Sequence, residues 1–222
     1  AYKIASPEIC HIPLIERVAK TKKPIIISLG LAQMKDIDLA LKTIRKIGNN
    51  KITLLQCVSS YPAPIIEQNI KSISAIKKKY KTLGGLSDHT KGFIAAVSAV
   101  VMGAKIIEKH FNLSQNKSVD SFFSSTEKEF KIMVDNIRLA EASLGSGKIE
   151  ISKSSKKNFN SRRSIYVSRD IAKNEIISDD NIRIVRPNHG LHPKFYKYVL
   201  NKKSNANLKI GDRFKLKYVK KK

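Results

Sequence analysis

Residues 83–111 contain the same arrangement twice, an apolar run that ends in polar residues, and this repetition restricts the possible folds more than any other feature of the chain. The first run ends in Ser-Asp-His-Thr at 87–90, and the second ends in Glu-Lys-His at 108–110. Residues 92–103 between them carry no charge, are rich in Ala and Val, and predict a buried helix. Strand, polar tip, helix and strand form the unit of a parallel α/β protein, in which functional groups collect at the carboxyl ends of the strands.

The same alternation extends back to the first residues and predicts five strands, each followed by a helix. The strands are predicted at 2–5, 24–28, 52–57, 83–86 and 106–108, and the helices at 12–19, 35–47, 69–79, 92–103 and 127–144. Continuously apolar strands of this kind favour a parallel sheet covered by helices.

Five units are too few to close an eight-stranded barrel, which takes about 250 residues. We therefore expect the carboxyl-terminal five βα units of a TIM (β/α)8 barrel, without the amino-terminal units that would complete it. An open doubly wound sheet is the alternative. It is disfavoured because no Gly-rich phosphate loop follows any of the predicted strands.

The composition and the hydrophobic pattern of the sequence change after the last predicted helix. Residues 145–161 are polar, basic and punctuated by glycine, which is typical of a linker. Irregular short strands without helical crossovers are predicted to follow, at 163–167, 182–185, 207–210 and 214–219. We predict a partial barrel domain at 1–147, a linker at 148–160 and a small domain at 161–222, which is near the lower size limit for independent folding.

The formal net charge of +25 raises the question of nucleic-acid binding. From residue 148 onward there are 21 Lys and Arg against 6 acidic residues, and the first 147 residues carry 22 against 12. No zinc-ligand spacing, ribonucleoprotein motif or leucine zipper accompanies the charge, so we expect no nucleic-acid partner. Most lysines are predicted to lie on solvated faces, and some of the charge could steer a phosphorylated substrate.

No apolar run approaches the roughly 18 to 20 residues of a membrane span, so we expect a soluble cytoplasmic protein that does not insert into membranes. The two cysteines, Cys10 and Cys57, lie in or beside apolar runs and match neither a disulfide framework nor a metal spacing. Reduced, buried thiols are predicted for both.

The polar residues at the strand ends are the candidates for chemistry. They are Lys3, Ser6 and Glu8; Ser28; Gln56 and Ser59; Ser87, Asp88 and His89; and Glu108, Lys109 and His110. Lysine and serine together suit a phosphate group, and His89 beside Asp88 suits a divalent metal. The structural alternatives are that the serines only cap turns and that the histidine is a hydrogen-bonded structural residue. Because side chains alternate along a strand, at most two of residues 108–110 can face a common site.

A series of motifs resembles the sialic acid synthase family along essentially the whole chain. They are Tyr-Lys-Ile-Ala-Ser-x-Glu (2–8), Lys-Pro-Ile-Ile-Ile-Ser-x-Gly (23–30), Leu-Leu-x-Cys-x-Ser-x-Tyr-Pro (54–62), Gly-Leu-Ser-Asp-His-Thr (85–90), Gly-Ala-x-x-Ile-Glu-Lys-His-Phe (103–111) and Arg-Pro-x-x-Gly (186–190). Residues 61–64, 119–124 and 186–194 are most similar to the pseudaminic acid synthase branch. The N-acetylneuraminate and legionaminate synthases are the near alternatives.

This resemblance implies a condensation of phosphoenolpyruvate with an N-acetylated amino sugar, with release of phosphate and with Mn²⁺ or Mg²⁺ as cofactor. It assigns substrate binding to Lys3, Ser6, Ser28 and Ser59, and catalytic roles to Glu8 and His89. His89 would also bind the metal. A second metal-binding histidine of the family is matched here to Gln56, which is expected to be at best a weak or water-mediated ligand.

The small domain resembles the antifreeze-like (SAF) domain of these synthases. That likeness implies a homodimer with a swapped SAF domain, in which Arg186 contacts the acetamido group of the sugar in the partner's barrel. Without the first barrel strands the chain is expected to be inactive by itself. A truncated remnant that acts as a binding module is the alternative of another class. An aldolase that does not use phosphoenolpyruvate is a third, disfavoured because no lysine stands alone in an apolar pocket.

Overall fold

In the computed structural model, which describes residues 1–113 and 118–220, the chain divides into two units, residues 1–147 and residues 148–222. The predicted small domain ends at residue 222, and its last two residues lie outside the described part of the chain. Each unit has its own buried apolar cluster.

The first unit alternates strands and helices as the apolar periodicity predicts. The elements are β1 (Tyr2–Ile4), α1 (Ile12–Lys20), β2 (Ile25–Ser28), α2 (Met34–Lys46), β3 (Ile52–Cys57), α3 (Ser72–Tyr80), β4 (Leu83–Asp88), α4 (Ile94–Val101), β5 (Ile106–Lys109) and α5 (Glu127–Ser143). Short 3-10 turns occur at Ser6–Cys10 and Ile65–Glu67. All five predicted strands and helices are present, and their ends shift by no more than three residues.

The five strands form one parallel sheet in the order β1-β2-β3-β4-β5. Each strand therefore lies beside the one that precedes it in the chain, and the direction of addition does not reverse. This order is that of a barrel wall and differs from a doubly wound sheet, in which the order reverses at a switch point. The carboxyl ends of the strands consequently lie along one edge of the sheet.

The helices cover the sheet because each has an apolar side. Ile15, Val18 and Ala19 of α1 are buried in the same cluster as Ile25 and Ile27 of β2. Removing such side chains from water stabilises a fold by about 1.5–3 kcal/mol for each large aliphatic residue.

The start of α5 shows how the sequence sets an element boundary. The Thr126 hydroxyl accepts a hydrogen bond from the Glu129 backbone N–H, and the Glu129 carboxylate accepts one from the Thr126 N–H. This reciprocal capping box satisfies two backbone donors that a helix start leaves free. The helix therefore begins at Glu127, the first residue of the predicted helix.

The second unit contains an antiparallel pair, β6 (Ser164–Val167) and β7 (Ile182–Val185), and two single-turn helices, α6 (Lys153–Lys156) and α7 (Tyr196–Val199). Its core contains Ile165, Ile171, Ile177, Ile182 and Phe214. The runs at 207–210 and 214–219 were expected as strands, and this is corrected: the first forms only an isolated bridge at Leu208, and the second contains a 3-10 turn at Leu216–Tyr218.

One cysteine differs from the prediction. Cys57 is buried as predicted, whereas Cys10 is exposed because it ends a 3-10 turn at the surface. Within the described ranges, no helix combines the length and the apolar character needed to cross a membrane.

Candidate functional site

A cavity of about 360 Å³ lies at the carboxyl ends of the five strands of the first unit. Five of the predicted site residues line it, namely Lys3, Ser6, Ser28, Ser59 and His89. They share the lining with Ala5, Pro7, Leu31, Cys57, Tyr61, Ser87, Glu108 and His110. Each of the five strands, or the turn that follows it, contributes at least one of these side chains.

The alternation of side chains along the strands decides which residues reach the cavity. Ser87 and His89 lie two positions apart, as do Glu108 and His110, and residues with this spacing share one face of a strand. Lys109, between the last two, faces the other way. This result agrees with the expectation that at most two of residues 108–110 share a site.

On that other face Lys109 forms a buried ion pair with Asp88. The Lys109 ammonium lies 2.8 Å from the Asp88 carboxylate and also donates to the Thr90 carbonyl oxygen at 2.6 Å. The second carboxylate oxygen of Asp88 accepts hydrogen bonds from the Thr90 N–H and hydroxyl. Asp88 is therefore engaged by Lys109 and Thr90 on the face of β4 away from the cavity and does not accompany His89 there.

The polar side of the cavity combines one cation with several hydroxyl groups. The Lys3 ammonium lies 3.4 Å from the Glu108 carboxylate, which also accepts a hydrogen bond from the Ser87 hydroxyl at 2.7 Å. The Ser6 hydroxyl accepts from the Leu31 N–H at 2.6 Å, so its own proton can be donated to a ligand. The Ser28 hydroxyl is buried and has no hydrogen-bond partner among the described residues.

Most buried polar groups in native proteins are hydrogen-bonded. Among the described residues, the buried hydroxyls of Ser28, Tyr80 and Thr82 have no partner, and of these three Ser28 is the one that lines the cavity. Ser28 lines the same cavity as the Lys3 ammonium. A bound oxyanion would satisfy both groups, since it accepts hydrogen bonds and carries the opposite charge.

His89 is held in one orientation. Its Nδ1 atom lies 2.8 Å from the Val58 carbonyl oxygen, so the neutral ring donates from Nδ1–H and leaves Nε2 as an acceptor. Burial lowers the pKa of His89, against the opposing effect of the hydrogen bond to Val58, and the nearby His110 lowers it further. A neutral imidazole whose other nitrogen is bound to a carbonyl is the form that ligates metals.

His110 is the second imidazole of the cavity. Its ring centroid lies 5.3 Å from that of His89, with the two planes at 75°. Its Nδ1 atom is 3.5 Å from the Asp120 carboxylate. The strand-end pattern included His110, but it was not among the predicted site residues; the signal that could have found it is its two-residue spacing from Glu108.

Tyr61 and the two histidines line one side of the cavity and belong to a cluster of aromatic rings that also contains Phe123. The Tyr61 ring lies 4.3 Å from the His89 ring, and the Phe123 ring lies 4.7 Å from the His110 ring and 5.3 Å from Tyr61. Phe123 is buried and does not line the cavity, whereas Tyr61 lines it and is half exposed. The cavity thus has a charged, hydroxyl-rich side and an apolar side, and could bind a molecule with an anionic group and an apolar face.

Gln56 does not reach this cavity. Its amide nitrogen donates to the Gln68 carbonyl oxygen at 3.2 Å, and its amide oxygen accepts from the Ser72 hydroxyl at 2.8 Å. It points toward α3 because it alternates along β3 with the cavity-lining Cys57. This position does not match the expected role of metal ligand, and His110 is the side chain that accompanies His89.

Two further predicted residues also lie outside the cavity lining. Glu8 is half-buried in the 3-10 turn at Ser6–Cys10, and the carboxylate that lines the cavity belongs to Glu108 instead. Arg186 belongs to the second unit, where it is exposed and follows directly after β7. Among the residues that the structure describes, no group of three or more His, Cys, Asp or Glu is placed to hold a metal ion.

Comparison with known proteins links this geometry to a family. Residues 1–149 match the NeuB family, and residues 162–214 match the SAF domain. The chain is 44% identical to the pseudaminic acid synthase of Campylobacter jejuni, over 97% of this chain and 63% of that protein. It is 39% identical to the N,N'-diacetyllegionaminic acid synthase of the same species, over 94% of this chain and 64% of the relative.

Solved structures agree with these matches. The spore coat polysaccharide biosynthesis protein SpsE of Bacillus subtilis superposes with a TM-score of 0.61 and 33% identity, over 99% of this chain and 67% of that one. The N-acetylneuraminic acid synthetase of Leptospira borgpetersenii, solved with citrate, gives a TM-score of 0.65 and 36% identity, over 70% of this chain and 55% of that one. The chain spans just under two thirds of the length of the curated relatives it matches.

Proposed function

The chain belongs to the NeuB family, and we propose that it carries most of the active site of a nonulosonic acid synthase, a transferase that condenses phosphoenolpyruvate with an N-acetylated amino sugar. The observation that carries the proposal is the orphaned Ser28 hydroxyl beside the Lys3 ammonium in a cavity that also holds two imidazoles. Its relatives among the pseudaminic and legionaminic acid synthases support this class of product.

In this reaction carbon 3 of phosphoenolpyruvate attacks the open-chain aldehyde of the sugar, water adds to carbon 2, and phosphate leaves by cleavage of the C–O bond. Lys3, Ser6 and Ser28 are suited to hold the phosphate, since they offer one positive charge and two hydroxyl donors at the ends of neighbouring strands. Ser59, on the same cavity wall as Cys57, provides a further hydroxyl for the substrate.

Glu108 is the better candidate for the reacting carboxylate than Glu8. It lines the cavity and is oriented by the Ser87 hydroxyl at 2.7 Å, whereas Glu8 does not line it. A carboxylate fixed in this way can accept a proton from the attacking water if the water lies within hydrogen-bond distance.

We propose a divalent cation, Mn²⁺ or Mg²⁺, as a cofactor that His89 and His110 would hold. Two imidazoles are fewer protein ligands than a structural site needs, so the remaining positions would be filled by the substrate and water, as in catalytic metal sites. When bound, such a cation would polarise the sugar aldehyde as a Lewis acid. Gln56 is left out of this ligand set because its amide is bonded on the helix side of β3.

For the product, we propose pseudaminic acid, in agreement with the sequence motifs and with relatives at 44% and 42% identity. The legionaminic acid synthases, at 39% identity, provide the alternative. The Tyr61 ring, which lines the cavity and packs on Phe123, suits the apolar C–H face or acetyl methyl group of an amino sugar.

We also propose a homodimer in which Arg186 of one subunit completes the sugar site of the other. Arg186 is exposed at the end of β7, and a guanidinium group there can donate to an amide carbonyl. In the full-length protein, mixing an Arg186→Ala subunit with a His89→Ala subunit should restore activity, because the heterodimer contains one intact site. A mixture that stays inactive although mass measurement shows heterodimers would rule out a shared site.

The test of the proposed function is phosphoenolpyruvate binding, measured by calorimetry on the chain and on Lys3→Met. Loss of a hydrogen bond to a charged group costs about 1.5–3 kcal/mol, so the Kd should rise at least about tenfold. Lys42→Met is the matched control, since Lys42 is exposed on α2 and does not line the cavity. An equal effect of both substitutions would contradict the phosphate site.

Phosphate release by the full-length protein, with a panel of acetylated amino sugars, then separates the alternatives. Release that depends on one sugar identifies the synthase and its substrate. Binding of phosphoenolpyruvate without turnover of any sugar would favour the binding-module alternative.

A further inference from the structure

We propose that Cys57 is a modification site, a cavity thiol that small anionic electrophiles of the α-keto carboxylate class alkylate selectively. The inference rests on the cavity of the proposed function, but it concerns a nucleophile that the proposed reaction does not use. Cys57 ends β3, is 6% exposed, and lines the cavity together with Lys3 and Ser28.

The space in front of the thiol is kept open by a glycine. A methyl group added at Gly30 would lie 3.1 Å from the Cys57 sulfur and 2.3 Å from the Ser59 hydroxyl oxygen. Any side chain at this position would therefore press on the corner of the cavity that Cys57 and Ser59 form. With glycine there, a small molecule in the cavity can approach the sulfur.

A second observation indicates what kind of molecule the cavity takes. The Ser28 side chain is 2% exposed, lines the cavity and has no hydrogen-bond partner among the described residues. The Lys3 ammonium lines the same space, paired with Glu108 at 3.4 Å and hydrogen-bonded to the Ile4 carbonyl oxygen at 3.3 Å, which leaves one N–H donor for a ligand. A carboxylate placed between Lys3 and Ser28 would satisfy the orphaned hydroxyl and bring its neighbouring carbons toward Cys57.

The protein environment limits the intrinsic reactivity of this thiol. Burial raises the pKa of Cys57, although hydrogen bonds with Ser87 and Ser59 and the charge of Lys3 act in the opposite direction. The thiolate is the nucleophile, so a molecule that meets the sulfur only by chance reacts slowly near neutral pH. A molecule held in the cavity by its carboxylate reacts faster, because its reactive carbon stays close to the sulfur.

The probe for this site is 3-bromopyruvate. The Cys57 thiol first loses its proton to solvent, and the thiolate then attacks carbon 3 of the probe. A carbon–sulfur bond forms, the carbon–bromine bond breaks, and bromide leaves with the electron pair. No oxidant or other reactant is needed.

The chain contains its own control, since Cys10 is exposed and does not line the cavity. Site-resolved mass spectrometry measures the alkylation rates of both thiols with bromopyruvate and with iodoacetamide, which is small but uncharged. The ratio of Cys57 to Cys10 labelling should be at least about tenfold higher with bromopyruvate, the lower end of rate gains from focused charge. Lys3→Met should reduce this ratio, and inorganic phosphate should protect Cys57 without protecting Cys10.

Two results would overturn the proposal. One is the same Cys57 to Cys10 ratio with both reagents. The other is labelling of Cys57 only after unfolding in urea, which would show that the sulfur is closed off. The modification site and the phosphoenolpyruvate site are tested separately. Calorimetry measures phosphoenolpyruvate binding to Cys57→Ser, a near-isosteric variant. Binding without selective labelling rejects the thiol site alone, and selective labelling without binding rejects the phosphoenolpyruvate site alone.

Discussion

Replacing Lys109 by methionine should destabilise the chain far more than removing a typical lysine. The side chains of Lys109 and Asp88 are 2% and 0% exposed, and the substitution leaves the Asp88 carboxylate buried without its counter-charge. Removing one partner of a buried ion pair costs about 3–5 kcal/mol. Methionine is similar in length to lysine, so loss of packing adds little to this figure.

Lys131→Met is the matched control for this experiment. Lys131 also forms an ion pair, with Asp135 at 2.7 Å, but the two side chains are 75% and 56% exposed. Helical surface pairs of this type contribute only about 0.3–0.5 kcal/mol. The two variants thus remove the same charge from pairs of similar length, and they differ in burial.

Urea unfolding followed by circular dichroism measures both variants, and the helical signal comes mainly from the first unit, which contains the five longer helices. In the double variant Asp88→Asn with Lys109→Met neither charge remains, while the amide oxygen can still accept the hydrogen bonds from Thr90. Much of the lost stability should therefore return. The reasoning fails if Lys109→Met lowers the free energy of unfolding by no more than about 1 kcal/mol beyond the loss in Lys131→Met. The buried charge of Asp88 would then be compensated in some other way.

Other expected outcomes concern the cavity and the sheet. Mn²⁺ affinity, followed by electron paramagnetic resonance, should fall in His89→Ala and His110→Ala and stay unchanged in Gln56→Ala; an equal loss in all three would contradict the ligand assignment. Because the pKa of His89 is lowered from its ordinary value of 6.5, its contribution to stability is complete above that pH and is lost as the pH falls toward the lower folded-state value, so His89→Gln should flatten the pH dependence of urea unfolding below 6.5. Gly85→Ala should lower the free energy of unfolding by about 1–3 kcal/mol, since its methyl group would lie 2.4 Å from a backbone carbonyl oxygen of β5. Gly84→Ala should cost less in the same unfolding assay, because its closest contact, at 2.7 Å, is a flexible lysine side chain.

Most of the first unit could be predicted from the sequence because its signals are local. A mainly apolar run gives β3 at its predicted bounds, and the Thr126 capping box marks the start of α5. The end of β4 was predicted two residues early, since Ser87 and Asp88 are polar. Both are nonetheless buried, because each polar group has a partner. The Ser87 hydroxyl donates to Glu108, and Asp88 forms an ion pair with Lys109.

The candidate site was less predictable because it depends on which face each side chain takes. Lys3, Ser6, Ser28, Ser59 and His89 were predicted as site residues and all line one cavity. Gln56 and Glu8 were also predicted and do not line it, since the sequence shows that a residue ends a strand but not which way it points. In the second unit, short runs of mixed polarity gave strands where the structure has bridges and turns, because isolated apolar residues such as Leu208 can be buried without a regular strand.

The alternation of side chains along β5 decides which of its polar groups face the cavity. Glu108 and His110 face the cavity, while Lys109 is buried against Asp88 on the other side. Inserting or deleting a single residue in this strand would exchange the two faces. The cavity would then gain an ammonium group, and a carboxylate would be pressed against the carboxylate of Asp88. Changes in length can therefore accumulate in the loops that follow the strands, whereas within the strands only substitutions preserve this set of groups.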